Sequence, residues 1–389
     1  MDFDFVFYGA GISAKIAAVS LLKEGFKVCI IQDKKKFSKN SNLVTFLSEG
    51  SINYLTTLVS NPANINNYTT IQKLNCSLTN STGSKEEFIE FTDNKSNSLG
   101  KIIPNNILES MFDEELSKLK NITIIKDETP IKINDASMNV EIFMESKNSI
   151  RAKVFILSSS NNHEMNRNLN IKFVSHDFNQ IALSVRVIGQ GQSEGCAYQK
   201  FSSDGPIAFL PYEKNEASIV WSVRDDSPLV SMNKSDLEKI INKKLKNFCQ
   251  PLEIVDIEKH KLKFSFSRKL YSNKTVLIGN IAHNIHPIAG QGLNLSIKDI
   301  SLFVKLVKNY KSIGYEINSS FIFEDYDVER KVDNTVYSFG TLALEEILST
   351  QNKLVNAVSR KGISYLQKNN FMKKLFVGSA TGKKYFNSL

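Results

Sequence analysis

Cysteine is scarce and scattered. The four residues, Cys29, Cys76, Cys196 and Cys249, make no CxxC pair and no zinc-ligand spacing. They read as structural thiols in a reducing compartment. The five histidines include no HExxH, so no metal site is expected. No G-x-S-x-G elbow is present, which argues against hydrolase chemistry of that kind. No apolar run approaches the roughly 18 residues of a membrane span. Met1 leads straight into the strand-like stretch Phe3 to Tyr8, with no basic leader before it. A cytoplasmic protein is the expectation.

Basic stripes with interleaved aromatics are also missing, so nucleic acid is not an expected partner. The net charge of +9 comes mostly from Lys, in a chain equally rich in Asn and Ile. That is a compositional bias more than a motif. Attraction to an anionic membrane surface is the better use of it, which would place the protein peripherally on the inner face of the membrane. The chain has 389 residues, 41% apolar and 23% charged. It is therefore globular and large enough for two domains, or for one domain with an insertion.

Two stretches carry the chemistry. The first is Phe3-Asp4-Phe5-Val6-Phe7-Tyr8 followed by Gly9-Ala10-Gly11-Ile12-Ser13-Ala14. A helical pattern through Ile16, Ala17, Ser20 and Leu21 follows, closed by Gly25, and then the buried strand Val28 to Ile31. This is a G-x-G-x-x-A dinucleotide fingerprint. Gly9 makes the turn, Gly11 admits a pyrophosphate, and small Ala14 lets helix and strand pack closely. The acidic residue expected on the ribose is displaced: Gln32 ends the second strand and Asp33 follows it, and either is positioned to serve.

The second stretch runs from Val276 to Leu295 and reads as strand, turn, Gly-rich loop and helix. Gly279 ends the strand, Pro287 stops any earlier helix, and Gly290 and Gly292 flank Gln291, so the backbone can approach a flat ligand. A helix starts near Leu293, with Ile297, Ile300 and Val304 on one face. Its free N–H groups and dipole favour negative charge in the loop.

Between these stretches, a helix is expected near Ser48 to Leu58 and another from Ile107 to Leu119. Strands are expected at Thr70–Leu74, Phe88–Phe91, Ile122–Ile125, Val140–Phe143 and Val154–Leu157. The character then changes to antiparallel strands at Gln180–Val187, Phe201, Gly205–Pro211 and Ser218–Ser222, with an amphipathic helix from Leu237 to Phe248. Lys34-Lys35-Lys36 reads as a solvated turn. A polar helix follows from Phe321 to Val336. The basic end, Lys373 to Phe386, reads either as a helix on a membrane surface or as one packed on its own core.

The two stretches together resemble the FAD-dependent aromatic hydroxylases. Within them they resemble the ubiquinone-biosynthesis hydroxylases, the 2-polyprenyl-6-methoxyphenol hydroxylase group. The late constellation G-N-x-A-H-x-x-H-P-x-x-G-Q-G-x-N is the specific part. Ala197–Phe201, Gly205–Pro211, Ile219–Trp221, and Tyr326 with Arg330 extend the match over nearly the whole chain.

The resemblance implies an α/β fold, a Rossmann-like FAD-binding domain with an inserted β-sheet substrate domain and a helical C-terminus. The FAD domain would comprise residues 1–75, 101–175 and 267–340. The substrate domain would comprise 176–266, with 76–100 as a further segment, and the helical end would be 341–389. FAD would lie along the first βαβ unit with its flavin by the late loop. NAD(P)H would reduce it, and a flavin C4a-hydroperoxide would hydroxylate a polyprenylated phenol. Gly279 and Asn280 would touch the ribityl or pyrophosphate region, and Pro287 to Gly292 would line the flavin. The backbone at Gly292, Leu293 and Asn294 would stabilise negative charge on the reduced flavin.

His283 and His286 are read as loop-holding hydrogen-bonders, with no acid–base residue assigned. Phe201, Phe209, Pro211 and Trp221 are the candidates for the ring pocket, and other ubiquinone-biosynthesis proteins are the expected partners. The family has Glu at Gln32, Arg at Asn42 and Ala-Asp-Gly at Ser158-Ser159-Ser160. Two other readings compete: a non-catalytic partner in a quinone-synthesis complex, and a flavin-dependent reductase of isoprenoid double bonds.

Overall fold

The structure is a computed structural model. It describes residues 2–33, 43–79, 86–93, 97–135, 138–158, 171–189, 195–202, 204–286 and 290–349. Its first layer is an eight-stranded sheet built on the N-terminal βαβ unit. Strand Asp2–Tyr8 lies parallel to Val28–Gln32 on one side and to Ser149–Leu157 on the other. Such a strand is apolar throughout because both faces are covered: Phe5, Val6, Phe7 and Tyr8 are at most 1% exposed. Helix Ile12–Lys23 packs on it, burying Ala14, Ile16, Ala17, Val19 and Leu21. Thr275–Leu277 joins the same sheet parallel to Ser149–Leu157. The late strand–loop–helix therefore emerges beside the N-terminal turn.

The second layer is an eight-stranded sheet, antiparallel except for one pair. Its spine is the long pair Phe173–Ile188 and Glu253–Ser267. Glu216–Arg224, Ile207–Pro211 and Cys196–Phe201 extend it, and the hairpin Lys73–Thr79/Glu86–Thr92 completes it. Helix Lys234–Leu245 covers one face, and its N-terminus is capped by the Asn233 side chain.

A three-stranded sheet, Val44–Ser48, Gly100–Pro104 and Thr70–Ile71, sits beside the late loop. At Gly100 (φ +154°) a Cβ would come within 2.0 Å of the Leu47 carbonyl oxygen, so only glycine permits that pairing. Helix Ser320–Ser349 spans both layers. Tyr326 Oη donates to the Leu277 carbonyl in the first, and Phe339 packs on Phe264 and Phe266 of the second. No described helix is long and apolar enough to cross a membrane. Asn42, Ser159, Ser160, Pro287, the Lys34–Lys36 run and the basic end lie outside the described residues.

Candidate functional site

The two glycine turns meet. Gly9 (φ +108°) turns the chain out of the first strand while its N–H donates to the Ile31 carbonyl at 3.0 Å. Gly11 is the N-cap of the first helix. No side chain caps it, no acidic residue sits in the first turn, and nothing lies within 4 Å of where its Cβ would be. Gly279 (φ +83°) stands opposite, its Cβ position 3.0 Å from the Ser13 Cβ. Asn280 is exposed beside it. A helix N-terminus left uncapped by a side chain between two glycine turns has N–H donors that can take an anion.

Gln32 ends its strand half-buried. Asp33 receives only long contacts, 3.4 Å from both the Tyr8 hydroxyl and the Thr129 hydroxyl. Its carboxylate therefore keeps acceptor capacity for a ribose. Ser158 hydrogen-bonds backward through its hydroxyl to the carbonyls of Tyr8 and Gly9, at 3.0 and 3.3 Å. It holds the first turn from behind.

The late helix, Gly292–Ser312, is likewise uncapped by a side chain and has no acid in its first turn. Nothing lies within 4 Å of the Gly292 Cβ position. Gly290 adopts φ +60°, with its Cβ position 3.3 Å from the Phe46 Cβ. The Asn294 side chain has a structural task beside the one expected of its backbone. Its Nδ2 donates to the carbonyls of Phe46 and Gly290, and its Oδ1 accepts from the Ser48 N–H at 2.8 Å. That amide is used up in bracing the loop against strand Val44–Ser48, so only its backbone is left for a ligand. Gln291 and Leu293 flank the opening, the former buried and the latter half-buried.

Both histidines hold the loop. His283 is 0% exposed and pairs through Nε2 with Asp299 Oδ2 at 2.5 Å. Arg330, also fully buried, donates from Nε to the other Asp299 oxygen at 2.6 Å and from Nη2 to Asn334 Oδ1. Asn334 Nδ2 donates to Asp299 in turn. Burial alone would push the Asp299 carboxyl up, but His283 and Arg330 outweigh it and hold it below the usual range. The network thus ties the loop, the late helix and the last helix together.

His286 pairs through Nε2 with Gln180 Oε1 of the second sheet at 3.0 Å and meets Phe178 edge-on. Burial pushes its pKa down to about 4. The unfolded value is near 6.5, so the unfolded chain binds the extra proton between these pH values. The stability this site contributes is complete above about pH 6.5 and is lost as pH falls toward 4. The expected result is a loss approaching ~3 kcal/mol over that window. It should shrink in His286→Gln, as measured by urea unfolding at stepped pH.

The ring-pocket candidates divide. Phe209 and Trp221 are 0% exposed and belong to the core beneath helix Lys234–Leu245, with Leu183, Val185, Leu237 and Ile241. This corrects the expectation for both: strand alternation turns them away from the loop. Pro211 shares their side of its strand and lines a cavity of about 1030 Å³ that includes none of the loop residues. Phe201 alternates onto the opposite, loop-facing side.

Two features that brace the loop were missed from sequence. One is strand Val44–Ser48, whose short mixed run Val44-Thr45-Phe46-Leu47 was its only signal. The other is the Asp299–Arg330 pair, whose partners lie on different helices. An FAD molecule fits what is present. Two uncapped helix N-termini suit its diphosphate and its reduced flavin, and open space stands in front of Gly11 and Gly292.

The sequence profile of the FAD binding domain family matches residues 149–330. Ubiquinone hydroxylase UbiL of Rhodospirillum rubrum is 21% identical over 73% of this chain and 67% of its own length. The 3-demethoxyubiquinol 3-hydroxylase of Escherichia coli is 26% identical over 62% of each chain. The chain thus spans about two thirds of the length of these curated relatives. Among solved structures, p-nitrophenol 4-monooxygenase PnpA of Pseudomonas putida DLL-E4 superposes with a TM-score of 0.78. It covers 99% of this chain and 98% of its own at 12% identity, a likeness of fold.

Proposed function

We propose that the chain, which is similar to FAD-dependent ubiquinone hydroxylases, is a monooxygenase that hydroxylates the ring of a polyprenylated phenol. NAD(P)H is the reductant and O2 the oxidant. The observation that carries this reading is the pair of open helix N-termini brought together by the Gly9–Gly11 and Gly279 turns. Gly9, Gly11, Gly279 and Asn280 hold the diphosphate half of FAD, and Asp33 or Gln32 takes the ribose. The backbone N–H groups of Gly292 and Leu293 face the flavin, with Gly290 and Gln291 shaping the loop. FAD, when bound, supplies the oxygen activation, which no side chain can.

The chain's own residues do the rest. The His283–Asp299–Arg330 network fixes the loop, and His286 fixes it against the second sheet. The ring lies between the two, the second sheet covers its far side, and the apolar tail leaves toward the membrane surface, where the protein works beside other enzymes of quinone synthesis. The reading is tested on FAD-loaded protein with a short-tailed 2-prenylphenol. NAD(P)H oxidation should rise at least tenfold with the phenol, with one O2 consumed per hydroxylated product. Bound FAD with no phenol-dependent oxygen uptake would favour a non-catalytic partner instead, the role to which Gln32 and Ser158 lean.

A further inference from the structure

The loop-facing side of the second sheet has a sharply graded composition. Register places Cys76, Gln199, Ala208, Val220 and Ser184 in one row across it. Ser222 and Ala182 lie side by side in the next row on that face. Phe201, two residues on from Gln199, faces the same way. The rows outside these two are already packed. Gln180 bonds His286 at one end, and Ala197 and Leu210 cluster with Phe46 at the other.

Phe46 and His286 flank the late loop, so the two central rows lie across from it. Their side chains are mostly small, and Cys76, Ala208, Val220 and Phe201 are only half-buried in mid-sheet. A flat space is left over them. Behind these rows, Phe209, Trp221, Leu183 and Val185 on the reverse face are covered by helix Lys234–Leu245.

One long polar side chain enters that space. Gln199 is 6% exposed, and among the described residues its amide has no hydrogen-bond partner. The amide is not among the fully enclosed, unpartnered side-chain groups of the described residues, so it reaches the space above the sheet and is available to a ligand there. An amide offers a donor and an acceptor side by side. It suits a ring hydroxyl that gives a hydrogen bond to Oε1, with Nε2 free for an oxygen substituent next to it.

We propose that Gln199 determines specificity for a phenolic hydroxyl, by holding it against the sheet and so setting which ring carbon faces the flavin loop. The inference rests on the hydroxylase reading above and deepens it. It contrasts with Phe209 and Trp221, whose size suggested a pocket but whose face excludes one.

The test is binding, followed by the change in flavin absorption of FAD-loaded protein. The probes are 2-geranylphenol and its methyl ether, 2-geranylanisole, which cannot donate. The unaltered protein should prefer the phenol about 10- to 100-fold. Gln199→Met, of matching length, should bind both with equal affinity at unchanged FAD content and unchanged Tm. Gln199→Glu, which keeps an acceptor, should restore a preference for the phenol.

A preference that survives in Gln199→Met, or equal binding of the two probes to the unaltered protein, overturns the assignment. If the unaltered protein binds neither probe, the substrate class of the hydroxylase reading fails, and this inference falls with it. The two failures are distinct.

Discussion

Gly11→Asp is expected to abolish FAD binding without harming the fold. The substituted side chain meets no protein atom, because the space within 4 Å of the Gly11 Cβ position is empty, and φ is an ordinary −73°. An aspartate there would itself cap the helix, so the apo protein should be no less stable. Its carboxylate would, however, stand where the diphosphate must. Each like-charge contact at about 4 Å near a protein surface costs ~4 kcal/mol, which is about 10³-fold in affinity. Gly11→Ala, which adds bulk without charge, should weaken FAD much less. Titration of FAD into each apo protein by fluorescence quenching checks this. An aspartate variant that binds FAD within tenfold of the unaltered protein would mean that the cofactor does not use this helix.

The second large effect lies in the buried network. Arg330→Met should destabilise the protein by about 3–5 kcal/mol, because Asp299 would keep a buried charge with the loss of its guanidinium partner. Arg330→Lys should recover only part, since an ammonium cannot bond Asp299, Asp333 and Asn334 from one fixed plane. The loss should also depend on pH in a defined direction. Asp299 titrates below the usual carboxylate range in the folded protein, so its share of the stability is present above the unfolded carboxylate pKa of ~3.9 and fades as pH falls through the lower folded value. Urea unfolding of the three proteins at neutral pH gives the magnitudes. A loss under about 1 kcal/mol in Arg330→Met would show that water reaches Asp299 and that the network is not what braces the loop.

The parts of this arrangement that sequence reveals are those with local causes. A buried parallel strand must be apolar on both faces, so Phe3 to Tyr8 announces itself, and glycines at forced turns announce Gly9, Gly11 and Gly279. The helix expected near Ser48 to Leu58 runs from Glu49 to Leu58, and the Ser48 hydroxyl caps it by accepting from the Ser51 N–H. Strand Glu253–Ser267 was not legible. Its exposed positions carry Glu253, Lys261 and Lys263, and its pairing partner lies far back in the chain at Phe173–Ile188. The faces of Phe209 and Trp221 were hidden for a related reason. Residue type says that an aromatic side chain is buried, but register alone says against what. The use of the Asn294 side chain was hidden as well: its amide bonds Phe46, Gly290 and Ser48, contacts that only the folded chain brings together.

The most direct test is the visible absorption spectrum of the purified protein, taken before and after adding FAD and removing the excess. The two open helix N-termini and the glycine turns between them predict flavin bands at close to one FAD per chain. A colourless protein that takes up no FAD would contradict the assignment of the site and leave a hydroxylase fold without its cofactor.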